Sequence, residues 1–168
     1  MGTREHKKNS LEKLDIAIIS VSSTRSLAED KSGKWIYARA VKEGHRVVCH
    51  KVLPDQADRI SDEVTEILAG FSPHAIILTG GTGISKKDVT IEAVRPLFQK
   101  ELSAFGAIFA QLSFEEIDSA AILSRATAGI VRDTVVFCIP GSIKACKLAC
   151  KALIFPELGH IVKHIQDN

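Results

Sequence analysis

Apolar and polar positions along this chain alternate between two rhythms. Asp15-Ile16-Ala17-Ile18-Ile19-Ser20-Val21 is a near-continuous apolar run of strand length, the pattern of a strand covered on both faces. Trp35, Ile36, Ala38, Ala40 and Val41 then form a helical stripe within 34–43, which Gly44 ends. Residues 46–53 return to strand character and stop at Pro54-Asp55, so strand, helix and strand predict a right-handed βαβ unit. Ile60, Val64, Ile67 and Leu68 mark one face of a helix over 57–68. After the break at Phe71-Ser72-Pro73, residues 74–78 read as a short third strand.

The second half is mixed. Ile91, Val94, Leu97 and Phe98 recur at helical spacing, and Pro96 predicts a bend or restart. Phe105, Ile108, Phe109 and Leu112 give a helix over 102–112 whose apolar side suits a core or a subunit contact. Ser113 and Glu116 match a capping box, so a new helix is expected to start there. Residues 124–131 and 134–139 flank Arg132-Asp133 as a β-hairpin, its second arm apolar enough to be central. Pro140-Gly141-Ser142 opens a helix, and Pro156 is expected to begin a last one, running to about Ile165.

Chemistry concentrates at Thr79-Gly80-Gly81-Thr82-Gly83, followed by Lys86-Lys87-Asp88. Glycines tolerate positive φ and keep side chains clear, so successive N–H groups can converge on one anion. Asp88 adds the ligand type that magnesium prefers when it travels with phosphates. The plain alternative is a glycine turn between strand and helix. Gly-Lys-Ser/Thr is missing, and no third glycine completes a dinucleotide fingerprint. Ser22 opens a hydroxyl-rich loop after the first strand, and Asp55 ends the second. Both belong at carboxyl ends of strands, where open α/β sheets collect ligands.

The 168 residues suit one domain over 14–168 behind a loose polar arm at 1–13. A net charge of +2 and nine aromatic residues give no case for nucleic-acid binding. No apolar run approaches membrane-spanning length, and residues 1–13 are too hydrophilic for a signal peptide. Four cysteines without a CxxC pair read as free thiols of a cytoplasmic protein.

Thr79-Gly80-Gly81-Thr82-Gly83 with Asp88-Val89-Thr90-Ile91-Glu92-Ala93 resembles the signature of the molybdopterin-binding MoaB/MogA family. Ser124-Arg125, Ala128-Gly129 and Pro140-Gly141-Ser142 fit the same family. Phe105-Gly106 and Leu112-Ser113-Phe114-Glu115-Glu116-Ile117 look most like its MoaB branch. The resemblance spans about 14–165. It implies an α/β fold, a three-layer α/β/α sandwich with a mostly parallel central sheet, assembled as a homotrimer or hexamer. It also implies adenylylation of molybdopterin by ATP with loss of pyrophosphate, Mg²⁺ as cofactor, and other molybdenum cofactor biosynthesis proteins as partners.

By position, the resemblance makes Gly80, Gly81, Thr82 and Gly83 the anion cradle. It makes Asp55 and Asp88 the catalytic, metal-holding acids. Ser22, Asp30, Ser32, Gly33, Pro140, Gly141 and Ser142 would line the substrate site. Three positions depart from the family pattern: Lys87 replaces an arginine, Ser23 an aspartate and Ile91 a proline. Lysine keeps the charge and loses the bidentate phosphate geometry. Two other readings stand beside the enzyme: a molybdopterin-binding or scaffold protein without turnover, and a pyrophosphatase of nucleotide derivatives.

Overall fold

The apolar runs pair into one six-stranded sheet of order β2-β1-β3-β6-β5-β4. The computed structural model describes residues 13–167, so nearly all of the arm expected at 1–13 lies outside the described residues. The strands are β1 (Asp15–Val21), β2 (Arg46–Leu53), β3 (Ala75–Thr79), β4 (Lys100–Glu101), β5 (Thr127–Val131) and β6 (Thr134–Ile139). β2, β1, β3 and β6 are parallel, whereas β5 and β4 run antiparallel to their neighbours. β4 was not visible in the sequence, because two exposed residues carry no period.

Helices cover both faces: α1 (Lys31–Lys42), α2 (Ala57–Phe71), α3 (Thr90–Val94), α4 (Ser103–Ile117), α5 (Ile143–Ala149) and α6 (Phe155–Gln166). Alternation along the strands divides the core in two. Ile16, Ile18, Ile77 and Phe137 face α1, α4, α5 and α6, while Ala17, Ile19, Ile76, Leu78 and Val136 face α2 and α3. This is the expected α/β/α sandwich. Every residue of β3 and β6 is buried, as central parallel strands require.

One expectation fails. Ser113 does not start a helix; it is a buried interior residue of the single helix α4. A Ser-x-x-Glu spacing caps only where the preceding backbone leaves the helix, and here it does not. Pro156 does stand in the first turn of the last helix, as expected, one residue after its start at Phe155. Residues Cys150–Ile154 form a π turn that joins α5 directly to α6, and the Phe155 N–H bonds to the Cys150 carbonyl five residues back. The wider turn accommodates the donor that proline lacks. Pro96 does interrupt as expected, with a 3₁₀ turn at Arg95–Leu97 after α3.

Topology also fixes where a ligand goes. From β1 the chain crosses to β2 on one side, and then returns to β3 on the other. The loops leaving β1 and β3 therefore diverge, opening a crevice at the carboxyl ends of those two strands.

Candidate active site

The glycine loop fills one wall of that crevice. Gly80 and Gly81 take φ of 99° and 65°. A Cβ on Gly80 would collide with the Val21 carbonyl oxygen, and one on Gly81 with the Thr90 hydroxyl. Only glycine serves at either position. Thr90, the first residue of α3, locks the turn: its hydroxyl donates to the Gly80 carbonyl (2.7 Å) and its N–H to the Gly81 carbonyl (2.9 Å). Arg125 holds the next two, its Nε donating to the carbonyls of Thr82 (3.0 Å) and Gly83 (3.1 Å).

Four consecutive carbonyls are thus tied down on one side. In a trans peptide the following N–H points the opposite way. The N–H groups of Gly81, Thr82, Gly83 and Ile84 therefore turn away from Thr90 and Arg125, neither of which borders the cleft. Among the described residues these four find no protein acceptor. The Gly80 N–H, by contrast, bonds to the Ile139 carbonyl (3.0 Å), so Gly80 turns the chain and offers no donor. Of the expected cradle residues Gly80 to Gly83, Gly80 thus has its N–H already engaged.

Arg125 itself is fixed by Glu92, through contacts of 2.6 and 3.2 Å from its two terminal nitrogens. That guanidinium holds the Glu92 carboxyl below its ordinary value, and Glu92 in turn raises Arg125. The sequence marked Arg125 only as part of a motif. Its partners lie 33 to 43 residues away, beyond the reach of any local signal.

The two acids lie against the glycine loop. Asp55 Oδ2 accepts from the N–H (2.8 Å) and hydroxyl (2.7 Å) of Ser23, and the Asp55 N–H returns a bond to Ser23 Oγ (3.0 Å). This latch joins the loops after β1 and β2. Asp55 does not cap α2, whose N-cap is Gln56. Its other oxygen, Oδ1, faces the glycine loop, 3.3 Å from where a Cβ on Gly81 would stand. Asp88 Oδ2 accepts from the Ser85 N–H (2.9 Å) and lies 2.8 Å from an added Cβ on Gly83. It does not cap α3 either, since Val89 holds that position.

Asp55, Asp88, Gly80, Gly81, Thr82, Gly83, Ser22, Pro140, Gly141 and Ser142 all border one cavity of about 400 Å³. Val21, Ser23, Thr24, Arg25, Lys87, Leu123 and Ser124 complete it. Arg25 is a cleft cation that sequence reasoning passed over, because nothing in its loop distinguishes it from surface. Gly141 packs against Gly80, with an added Cβ only 3.0 Å from the Gly80 Cα. Ser142 caps α5 by accepting from the Ala145 N–H (3.1 Å), which leaves its hydroxyl hydrogen to donate outward.

Asp30, Ser32 and Gly33 do not border the 400 Å³ cavity, but Ser32 lines an adjoining one of about 390 Å³ with Thr24, Arg25, Gly141 and Ser142. Asp30 is buried, caps α1 through the Gly33 N–H (2.9 Å), and accepts from Ser20 Oγ (2.5 Å) with His50 Nε2 at 2.9 Å. Burial pushes its carboxyl up, but the bonds from Ser20, Gly33 and His50 outweigh that and hold it below the ordinary range. Ser32 Oγ donates to the Gly141 carbonyl (2.9 Å), and Thr79 Oγ1 to the Pro140 carbonyl (3.1 Å). Asp30 reaches a void of about 20 Å³, which Ser32 also borders. An added Cβ on Gly33 would run into Asp30, which leaves no alternative to glycine.

Backbone donors without an acceptor among the described residues, beside two carboxylates at the carboxyl ends of a doubly wound sheet, have the chemistry to hold a phosphate-bearing group. The sequence model of a family described as probable molybdopterin binding domain matches residues 17–160, and the chain belongs to that family. Molybdenum cofactor biosynthesis protein B of Bacillus subtilis is 44% identical to it, covering 100% of this chain and 99% of the relative. The molybdopterin adenylyltransferase of Pyrococcus furiosus is 39% identical over 99% of this chain and 100% of its own length. A crystal structure of a molybdenum cofactor biosynthesis protein B superposes with a TM-score of 0.90 at 38% identity, covering 93% of this chain and 98% of the other.

Proposed function

We propose that the chain transfers the adenylyl group of ATP to molybdopterin, releasing pyrophosphate. The observation that carries this reading is that Gly81, Thr82 and Gly83, whose N–H groups find no acceptor among the described residues, border one cleft together with Asp55 and Asp88. Names given to relatives of 36 and 39% identity, a probable and a plain molybdopterin adenylyltransferase, support it. The nucleophile is already an anionic phosphate oxygen, so the protein needs to align it with the α-phosphorus and offset charge rather than remove a proton. The N–H row binds one phosphate group, and Arg25 and Lys87 on the rim offset the remaining negative charge. The Ser23 latch fixes the direction of Asp55.

Magnesium fits these acids. Oδ1 of Asp55 and Oδ1 of Asp88 accept no hydrogen bond among the described residues. Among the described residues no group of three or more His, Cys, Asp or Glu side chains forms a metal cage. Magnesium is commonly held by one or two carboxylates with waters and substrate phosphates completing the shell. Bound there, it would neutralise charge on the triphosphate.

Self-association belongs to the same reading. α4 is apolar nearly all round, and Ile108, Phe114 and Ile117 on it, with Ile122 and Leu123 just beyond, remain exposed. Such a helix calls for cover, and a homotrimer or hexamer supplies it, with Leu123 carrying the covered surface to the cleft edge. No helix among the described residues is long and apolar enough to cross a membrane. Purified protein mixed with molybdopterin, ATP and Mg²⁺ tests the chemistry. Adenylylated product and pyrophosphate are expected; tight pterin binding without product would replace the enzyme by a carrier.

A further inference from the structure

The cleft leaves a second cluster unused. A larger cavity, about 600 Å³, opens at the far end of the sheet, beside the Arg132-Asp133 turn that precedes β6, whereas the cleft lies where β6 ends. Leu102, Ile130, Ile161 and Ile165 give it apolar walls, and His160 and His164 of α6 stand on one side. The two histidines are one helical turn apart, so their rings share a face. Their centroids are 4.6 Å apart and their Nε2 atoms 2.9 Å apart. His160 Nδ1 lies 3.2 Å from Glu157 Oε2.

Two ring nitrogens this close cannot both present lone pairs to each other. Something positive must lie between them, a shared proton or a metal ion. Nδ1–H of His160 donating to Glu157 places that ring's lone pair on Nε2, the arrangement by which a carboxylate orients a ligating imidazole. His164 presents its own lone pair at Nε2 once its proton sits on Nδ1. With metal–nitrogen bonds of about 2.05 Å, two ligands at a right angle place their nitrogens about 2.9 Å apart, and tetrahedral ones about 3.3 Å. The observed spacing suits neighbouring positions of a square-planar or octahedral ion.

We propose that His160 and His164 form a two-nitrogen chelate for a borderline divalent transition metal, copper or nickel ahead of zinc. No third His, Cys, Asp or Glu completes a cage among the described residues, and the 600 Å³ cavity leaves room for water or a small donor ligand at the other positions. The chemistry differs from that of the cleft: imidazole nitrogen selects copper and nickel, carboxylate oxygen selects magnesium.

Nickel chloride titrated into the untagged full chain by calorimetry tests this. One ion per chain is expected, unaffected by millimolar Mg²⁺, together with a rise in melting temperature. Copper should bind more tightly than nickel, and zinc no more tightly than nickel. H164A, at an exposed position, should weaken nickel binding at least tenfold and abolish the thermal shift while leaving the metal-free circular dichroism unchanged. H160A should do the same, which separates the pair from the other four histidines. Absence of nickel binding, or binding unchanged in H164A, would reduce the contact to an N–H···N hydrogen bond and overturn the proposal.

Discussion

Asp30 and Asp55 are both brought to the carboxyl end of β1, and they live under opposite conditions. Asp30 is buried and fully engaged, with Ser20, Gly33 and His50 around its two oxygens. Asp55 is half-exposed, with one oxygen latched by Ser23 and the other turned to the cleft. The floor spends its hydrogen-bonding capacity on holding loops: Ser32 on Gly141, Thr79 on Pro140, Thr90 on Gly80 and Gly81. The rim keeps capacity in reserve. A polar residue without an internal partner at a strand's carboxyl end is available for a ligand; one with every partner filled is available only for position.

If that division is right, rim substitutions should remove activity and spare the fold. D55N and D88N should each lower the rate of adenylylated molybdopterin formation by about 10²–10³, the scale of losing one preorganised electrostatic contact. Their urea midpoints should stay close to that of the parent. A large fall in stability with D88N would move Asp88 to the floor and leave Asp55 as the sole reacting acid.

Floor substitutions should do the reverse. D30A removes an N-cap, worth about 1 kcal/mol, and leaves buried donors unsatisfied at about 1–3 kcal/mol, so a loss of about 3 kcal/mol is expected by urea unfolding. The sign with pH follows from the lowered carboxyl. A folded value below the unfolded one stabilises wherever the unfolded group would ionise, above its ordinary 3.8, and that stabilisation is lost as pH falls through the folded value. The stability gap between parent and D30N should stay level from neutrality to about pH 5 and narrow below about pH 4. A gap that widened on acidification would show that Asp30 is held neutral.

The sheet was legible because burial on both faces writes itself into runs such as Ile16 to Ile19 and Val135 to Ile139. The glycine loop was legible for a related reason: positive φ and close approach admit one residue type. What could not be read is whatever depends on distant partners. Arg125 looks like any surface arginine until the fold brings Thr82, Gly83 and Glu92 around it. Asp30 looked like a cleft residue because a motif records that an aspartate is needed without saying which way it faces. Ser113 misled for the opposite reason, since a local pattern was present and tertiary packing overrode it.

Arg125 tests whether floor and rim communicate. R125K keeps one charge but cannot serve two carbonyls and Glu92 together, since the fork is lost. Roughly a tenfold fall in rate is expected, with about 1 kcal/mol of stability, the net worth of a typical hydrogen bond. The effect should appear in KM for whichever substrate phosphate the N–H row holds. A kcat effect of D88N size would mean that Arg125 does more than orient the loop.

Ser23 should give the smallest effect, and it sharpens the comparison most. S23A deletes the hydroxyl that donates to Asp55 at 2.7 Å and accepts from its N–H at 3.0 Å, but the Ser23 N–H still donates to Asp55 at 2.8 Å. The site is exposed, so stability should fall by only about 0.5 kcal/mol. Asp55 keeps its charge and loses part of its direction, and the rate should drop a few-fold, measured as kcat with saturating molybdopterin and ATP. S23D places a second carboxylate against Asp55 and offers another charge to a metal. If Asp55 works by holding magnesium, S23D should lower the Mg²⁺ concentration needed for half-maximal rate while S23A raises it. If both variants leave that concentration unchanged, Asp55 orients substrate directly, and the rim acids divide their work differently from the scheme proposed above.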